Sequence, residues 1–98
     1  MADEQKTPTS YYAFETVTVA DSSIGLTAAT FDQQRFALIT LETAPVRFRL
    51  DGSAPTSTVG HLLEVGDILE LDSNEQLVAV RFIRTTGVSG SISVSYGA

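Results

Sequence analysis

The sequence has no cysteine and no tryptophan, only one histidine, and few basic residues of any kind. Without cysteine there is no disulfide framework, no thiolate zinc site and no thiol nucleophile, and redox compartment leaves no trace in the chain. With a single imidazole, a metal centre would have to be calcium-like and built from carboxylates, yet no regular Asp-x-Asp-x-Asp loop occurs. Neither a metal nor a cofactor is expected. Long apolar runs are absent as well. The longest hold a few residues, far below the roughly 20 that span a bilayer, and the opening MADEQKTPTS has no apolar stretch of the signal-peptide kind. No membrane association is expected. Six Lys and Arg stand against twelve carboxylates, a net charge of −6, which argues against gripping a phosphate backbone and so against nucleic acid as a partner.

What remains is a chain of 98 residues, 43% hydrophobic and 18% charged, with eight aromatic side chains as three Tyr and five Phe. That length supports one thin core and no second domain. Its apolar content is too high for a wholly disordered chain. Thr and Ser alternate with Val, Ile and Leu through much of the sequence, and no long window sustains an i, i+3, i+4 apolar pattern, so strands are expected to carry the fold.

Residues 14–20 (FETVTVA) put Val17 and Val19 on one face and Thr16 and Thr18 on the other. Asp21 to Ser23 supply a turn, and residues 24–30 (IGLTAAT) read as a short second strand with a bulge at Gly25. Residues 36–43 (FALITLET) form the most continuous apolar run, a strand covered on both faces. Residues 46–50 (VRFRL) turn Val46, Phe48 and Leu50 inward and Arg47 and Arg49 outward. Asp51-Gly52 then reverses the chain, and SAPTSTVG lengthens the loop beyond a two-residue hairpin. Residues 67–72 (DILELD), 77–85 (LVAVRFIRT) and 91–96 (SISVSY) supply three more strands, with Ser73 to Gln76 and Gly87 to Gly90 as turns. Seven to eight short strands at this spacing predict an all-β fold, an antiparallel β-sandwich that is jelly-roll-like. Residues 1–13 read as a flexible N-terminal arm, and residues 14–98 as the single β-sandwich domain.

Catalytic chemistry finds little footing. Ser57, His61 and Asp67 can be written as a triad, but serine and aspartate are too common for the coincidence to carry weight. The pairs Glu70/Asp72 and Glu64/Asp67 could serve as acid and base. The plainer reading sets Glu70 and Asp72 in cross-strand ion pairs with Arg47, Arg49 or Arg81. No catalytic residue is therefore assigned. Tyr11, Tyr12 and Phe14 cluster at the exit of the arm. They either dock on their own sandwich or anchor on a neighbouring subunit, where aromatic side chains are favoured. The loop formed by Asp51, Gly52, Pro55, Gly60 and His61 reads as structural: Asp51 accepts backbone N–H groups, Gly52 permits the reversal and Pro55 stiffens it.

The stretch APVRFRLDGSAPTSTVGHLLEVGD at residues 44–67, followed by LVAVRFIRT and SGSISVSYG, resembles small structural proteins of tailed bacteriophages and prophages. The resemblance implies a non-enzymatic virion component that binds capsid or tail proteins, forms homo-oligomers and is assembled in the host cytoplasm. It assigns no role to individual residues. The shorter segment VRFRLDGSAPTSTVG is similar to a stretch of the β-sandwich accessory domains of chitobiase-like glycoside hydrolases, which implies carbohydrate as an alternative ligand. Those domains often carry an aromatic residue where this chain has Arg49. On a phage head, the acidic balance favours an exterior position, away from packaged DNA.

Overall fold

A computed structural model describes residues 10–97. The elements in chain order are β1 (Tyr11–Val19), α1 (Ala28–Phe31), β2 (Phe36–Leu41), β3 (Val46–Arg49), β4 (His61–Leu63), β5 (Ile68–Leu71), α2 (Asn74–Ala79), β6 (Arg81–Arg84) and β7 (Gly90–Gly97). The strands form two antiparallel sheets: one of four, in the order β1-β7-β2-β5, and one of three, in the order β4-β3-β6. The fold is thus all-β and sandwich-like.

Alternation decides which face each strand buries. In β7, Ile92, Val94 and Tyr96 are buried, with less buried serines between them. In β3, Val46 and Phe48 point in while Arg47 and Arg49 point out. Leu50, expected inward, lies past the end of β3 and is exposed. The register carries Ala37, Ile39 and Leu41 of β2 opposite Tyr96, Val94 and Ile92, so one continuous apolar face of the larger sheet meets Val46, Phe48, Leu63 and Phe82 of the smaller.

Two expected strands turn out differently. Residues 24–30 contribute only an isolated bridge from Ile24 to Phe82, and the chain then coils into α1. The local sequence favours this, because Ala28 and Ala29 are helix formers and Phe31 reaches the core, where its ring lies 5.9 Å from that of Tyr96. Residues 77–85 are split. Ser73 caps α2, its side chain accepting from the Gln76 backbone N–H, and Leu77 is buried on the helix while Val78 faces solvent. Only Arg81–Arg84 continue as a strand. Gly87 to Gly90, expected as a hairpin turn, instead carries the chain from the smaller sheet to the larger.

Tyr11, Tyr12 and Ala13, placed by sequence in the arm, begin β1, with a bulge between Tyr11 and Ala13. Residues 1–9 of the expected arm lie outside the described residues. A polar knot ties β1 down: the half-buried Glu15 carboxylate accepts from the Tyr96 hydroxyl, from Thr27 Oγ1 at 2.6 Å and from the Thr27 backbone N–H at 3.1 Å. Burial, and then the hydrogen bond to Glu15 and its charge, push the Tyr96 phenol well above its ordinary value of 10.0. The folded protein therefore holds this proton more tightly than the unfolded chain. Its contribution is complete below pH 10 and should be lost as the pH rises above it. Urea midpoints compared at neutral and strongly alkaline pH should fall further for the wild type than for Tyr96→Phe. Equal falls would assign the alkaline loss to other groups.

Candidate functional site

β1 forms one edge of the four-stranded sheet. Its rings are held outward by the same register that buries Val17 and Val19: Phe14 lies opposite Ser95, Thr16 opposite Ser93 and Thr18 opposite Ser91. Tyr11, Tyr12 and Phe14 are 48%, 64% and 62% exposed, which sets them apart from Phe31, Phe36, Phe48, Phe82 and Tyr96, all buried. The outer face continues across the sheet through Ser95, Leu38 and Glu70 in one row and Ser93, Thr40 and Ile68 in the next. Apart from its pairing with β7, no backbone group of residues 11–19 takes part in a hydrogen bond among the described residues. The strand's only ionisable side chain besides the tyrosines is Glu15, which is turned inward to Tyr96 and Thr27. The open edge of β1 therefore presents aromatic rings and hydroxyls without a carboxylate or a guanidinium.

The second group of sequence candidates surrounds the loop between β3 and β4. Arg47 organises it, donating through Nε to the Ser57 carbonyl at 3.1 Å and through a terminal nitrogen to the Gly60 carbonyl at 2.9 Å. Arg49 forks onto Asp51, with Nε 3.1 Å from Oδ1, and Asp51 also accepts from the Ser53 backbone N–H at 3.2 Å. The guanidinium and that N–H hold the Asp51 carboxyl below the usual range. Pro55 is buried. Gly60, at φ +134°, lies where a Cβ would come within 3.0 Å of the Phe48 carbonyl and 3.2 Å of Pro55. His61 is the first residue of β4 rather than part of the loop, and its ring stacks 5.2 Å from Phe48. Arg49, Leu50, Asp51, Val59, Gly60 and His61 line an open hollow of about 580 Å³.

Gly52 sits at φ +83° with no atom near its missing Cβ, so any penalty there is purely one of backbone conformation. Gly52→Val should cost about 1–3 kcal/mol, read as a lower urea midpoint. A wild-type midpoint would show that the turn relaxes to negative φ.

The structure keeps the two groups apart, one on the larger sheet and one on the smaller. Nor does it assemble the triad. Among the described residues no hydrogen bond joins His61 to Ser57 or to Asp67, and the Asp67 carboxylate instead accepts from the Glu64 backbone N–H at 2.8 Å. Glu70 and Asp72 do not meet Arg47, Arg49 or Arg81, because β5 belongs to the larger sheet while β3 and β6 belong to the smaller. The ion pair found among the described residues is Arg49–Asp51. No cluster of three or more His, Asp and Glu that could hold a metal ion occurs among them.

Sequence reasoning missed the role of Arg47. The usable signal was its outward position in an alternating strand beside a loop rich in carbonyls and poor in acids. Arg49 and Arg81 lie directly opposite one another, a like-charge pair that Asp51 relieves from one side and a hydrogen bond to Ser23 from the other. Comparison of the chain with protein-family models, with curated proteins and with solved structures finds no match.

Proposed function

We propose that the chain is a non-enzymatic structural protein of a tailed-phage virion, binding a capsid or tail surface and its own copies. The observation that carries the binding half of this reading is the exposure of Tyr11, Tyr12 and Phe14 together on β1. A monomer gains nothing by holding three neighbouring rings in water, whereas such rings are favoured anchors at protein interfaces. The virion half rests on the resemblance of residues 44–67, 77–85 and 89–97 to phage structural proteins.

Topology supports it from a second side. If the Ile24–Phe82 bridge is counted as the remnant of an eighth strand beside β6, the orders become β1-β7-β2-β5 and β4-β3-β6 plus that remnant. Counted in this way, the strand order fits the jelly-roll-like arrangement proposed for the chain, an architecture common to viral capsid and lectin domains.

The same rings favour a second reading, a carbohydrate-binding module, since stacking on sugars needs an exposed aromatic platform. One pair of experiments separates the two. The wild-type chain should co-sediment with purified virions of the phage that encodes it. The double variant Tyr12→Ser/Phe14→Ser should fold normally, both side chains being exposed, and remain in the supernatant. Wild-type protein that ignores the particles but gives saturable hits on a glycan array would replace the virion reading with the carbohydrate one.

A further inference from the structure

We infer that two copies of this chain pair through β1, edge to edge and antiparallel, about a two-fold axis at Thr16. The inference deepens the reading above by naming how copies meet. A sheet edge is a row of unpaired N–H and C=O groups, and proteins that remain monomeric protect it with short strands, charges or coverage. Three of the four edges here are protected in one of these ways. β4 has three residues, and β5 has four, including Glu70 and flanked by Asp67 and Asp72. β6 is covered at Phe82, which exchanges backbone hydrogen bonds of 2.9 and 2.8 Å with Ile24. β1 is the exception: nine residues long, without proline, with its one carboxylate turned inward, and with no backbone hydrogen bond on the side away from β7 among the described residues.

Charge selects a second copy as the occupant. In a chain of net charge −6, self-association is opposed wherever carboxylates face carboxylates. The β1 edge places no ionised side chain on the outer face, so it is the one long sheet edge among the described residues at which two identical acidic molecules meet without repulsion.

The side-chain order is also self-complementary. Keeping the outer faces of both copies on one side requires residues of like parity to oppose each other. An axis at Thr16 uses the regular stretch beyond the bulge, residues 13–19. Phe14 of each copy then opposes Thr18 of the other, and Thr16 opposes Thr16. Aromatic with β-branched and Thr with Thr are both favourable cross-strand pairs. On the inner face Glu15 opposes Val17, whereas an axis at Glu15 would set the two carboxylates against each other. The product is a continuous eight-stranded sheet with β1 of each copy at its centre.

The test uses the axis itself. Sedimentation equilibrium should show a reversible monomer–dimer equilibrium for the wild type. Thr16→Lys and Thr16→Glu, at an exposed position, should each retain the wild-type melting temperature and dimerise at least about ten-fold more weakly. An equimolar mixture of the two should recover dimer, because only this register brings position 16 against position 16. Wild type that stays monomeric at every concentration overturns the inference, as does a dimer indifferent to both substitutions or a mixture that fails to recover. Particle binding without dimerisation would remove this pairing alone, and dimerisation without particle binding would remove the virion reading alone.

Discussion

Phe82→Ala is expected to cost about 3–5 kcal/mol, against the roughly 5–15 kcal/mol that a domain of this kind has in total. Phe82 has no solvent exposure, packs 6.1 Å from the ring of Phe48 and belongs to the small set of residues through which the three-stranded sheet reaches the larger one. That sheet offers few alternatives. Its inward side chains are Val46, Phe48, Leu63 and Phe82, so truncating one of its two phenylalanines opens a cavity that short strands cannot close by shifting together. Urea denaturation should show the loss as a lower midpoint, and thermal melting as a fall of more than about 12 °C. Phe82→Leu, which keeps most of the volume, should cost under about 1.5 kcal/mol. An alanine variant within about 1 kcal/mol of wild type would mean that the two sheets are not held together at this point.

Gly90→Ala is expected to be comparably damaging, although it adds a single methyl group. Gly90 is buried at the start of β7, where the chain arrives from the smaller sheet and passes directly over the connection between β2 and β3. A Cβ there would lie 2.7 Å from the Ala44 carbonyl oxygen and 2.7 Å from a Val46 methyl. The first of these is backbone and cannot rotate away. Relief requires β7 to move relative to β2, which disturbs the pairing of Leu41 with Ile92 two residues further along β7. A loss of about 3 kcal/mol follows from overpacking at a rigid contact. Gly87→Ala is the control, since nothing approaches that position within 4 Å, and its midpoint should remain close to wild type. Equal behaviour of the two variants would show that the β2–β3 connection yields.

Much of this core was legible in the sequence because strict alternation leaves few options. SISVSY and VRFR place every inward residue of β7 and β3 correctly, and DILELD buries Leu71 while exposing Ile68 and Glu70. Legibility failed where a segment changes structure partway. LVAVRFIRT reads as one apolar run, yet its first residues complete a helix whose start, Ser73 with Gln76, is a capping pattern that can be found in sequence. IGLTAAT failed differently: it has strand-like residues but only Ile24 finds a partner, because α1 takes Phe31 into the core.

Of the site candidates, the aromatic cluster was legible as a cluster and Phe14 as part of the first strand, but Tyr11 and Tyr12 were not, since a bulge interrupts the alternation at the start of β1. The Asp51-Gly52 turn was legible in type, and the positive φ of Gly52 agrees with it. What sequence could not supply was sheet membership. The expected partners of Glu70 and Asp72 were chosen from strands that belong to the opposite sheet.

The position of β7 has a kinetic consequence. It pairs with β1 along one side and with β2 along the other, joining residues 11–19 to residues 36–41 through a strand that begins at residue 90. During synthesis β1 and β2 leave the ribosome first and have no direct ladder between them, so the larger sheet can close only after its linking strand has been made. Folding is therefore expected to be governed by non-local pairing, in the slow range typical of all-β domains. Until then the aromatic edge of β1 waits open on both of its sides, which makes the nascent chain a natural client for chaperones that shield exposed strands.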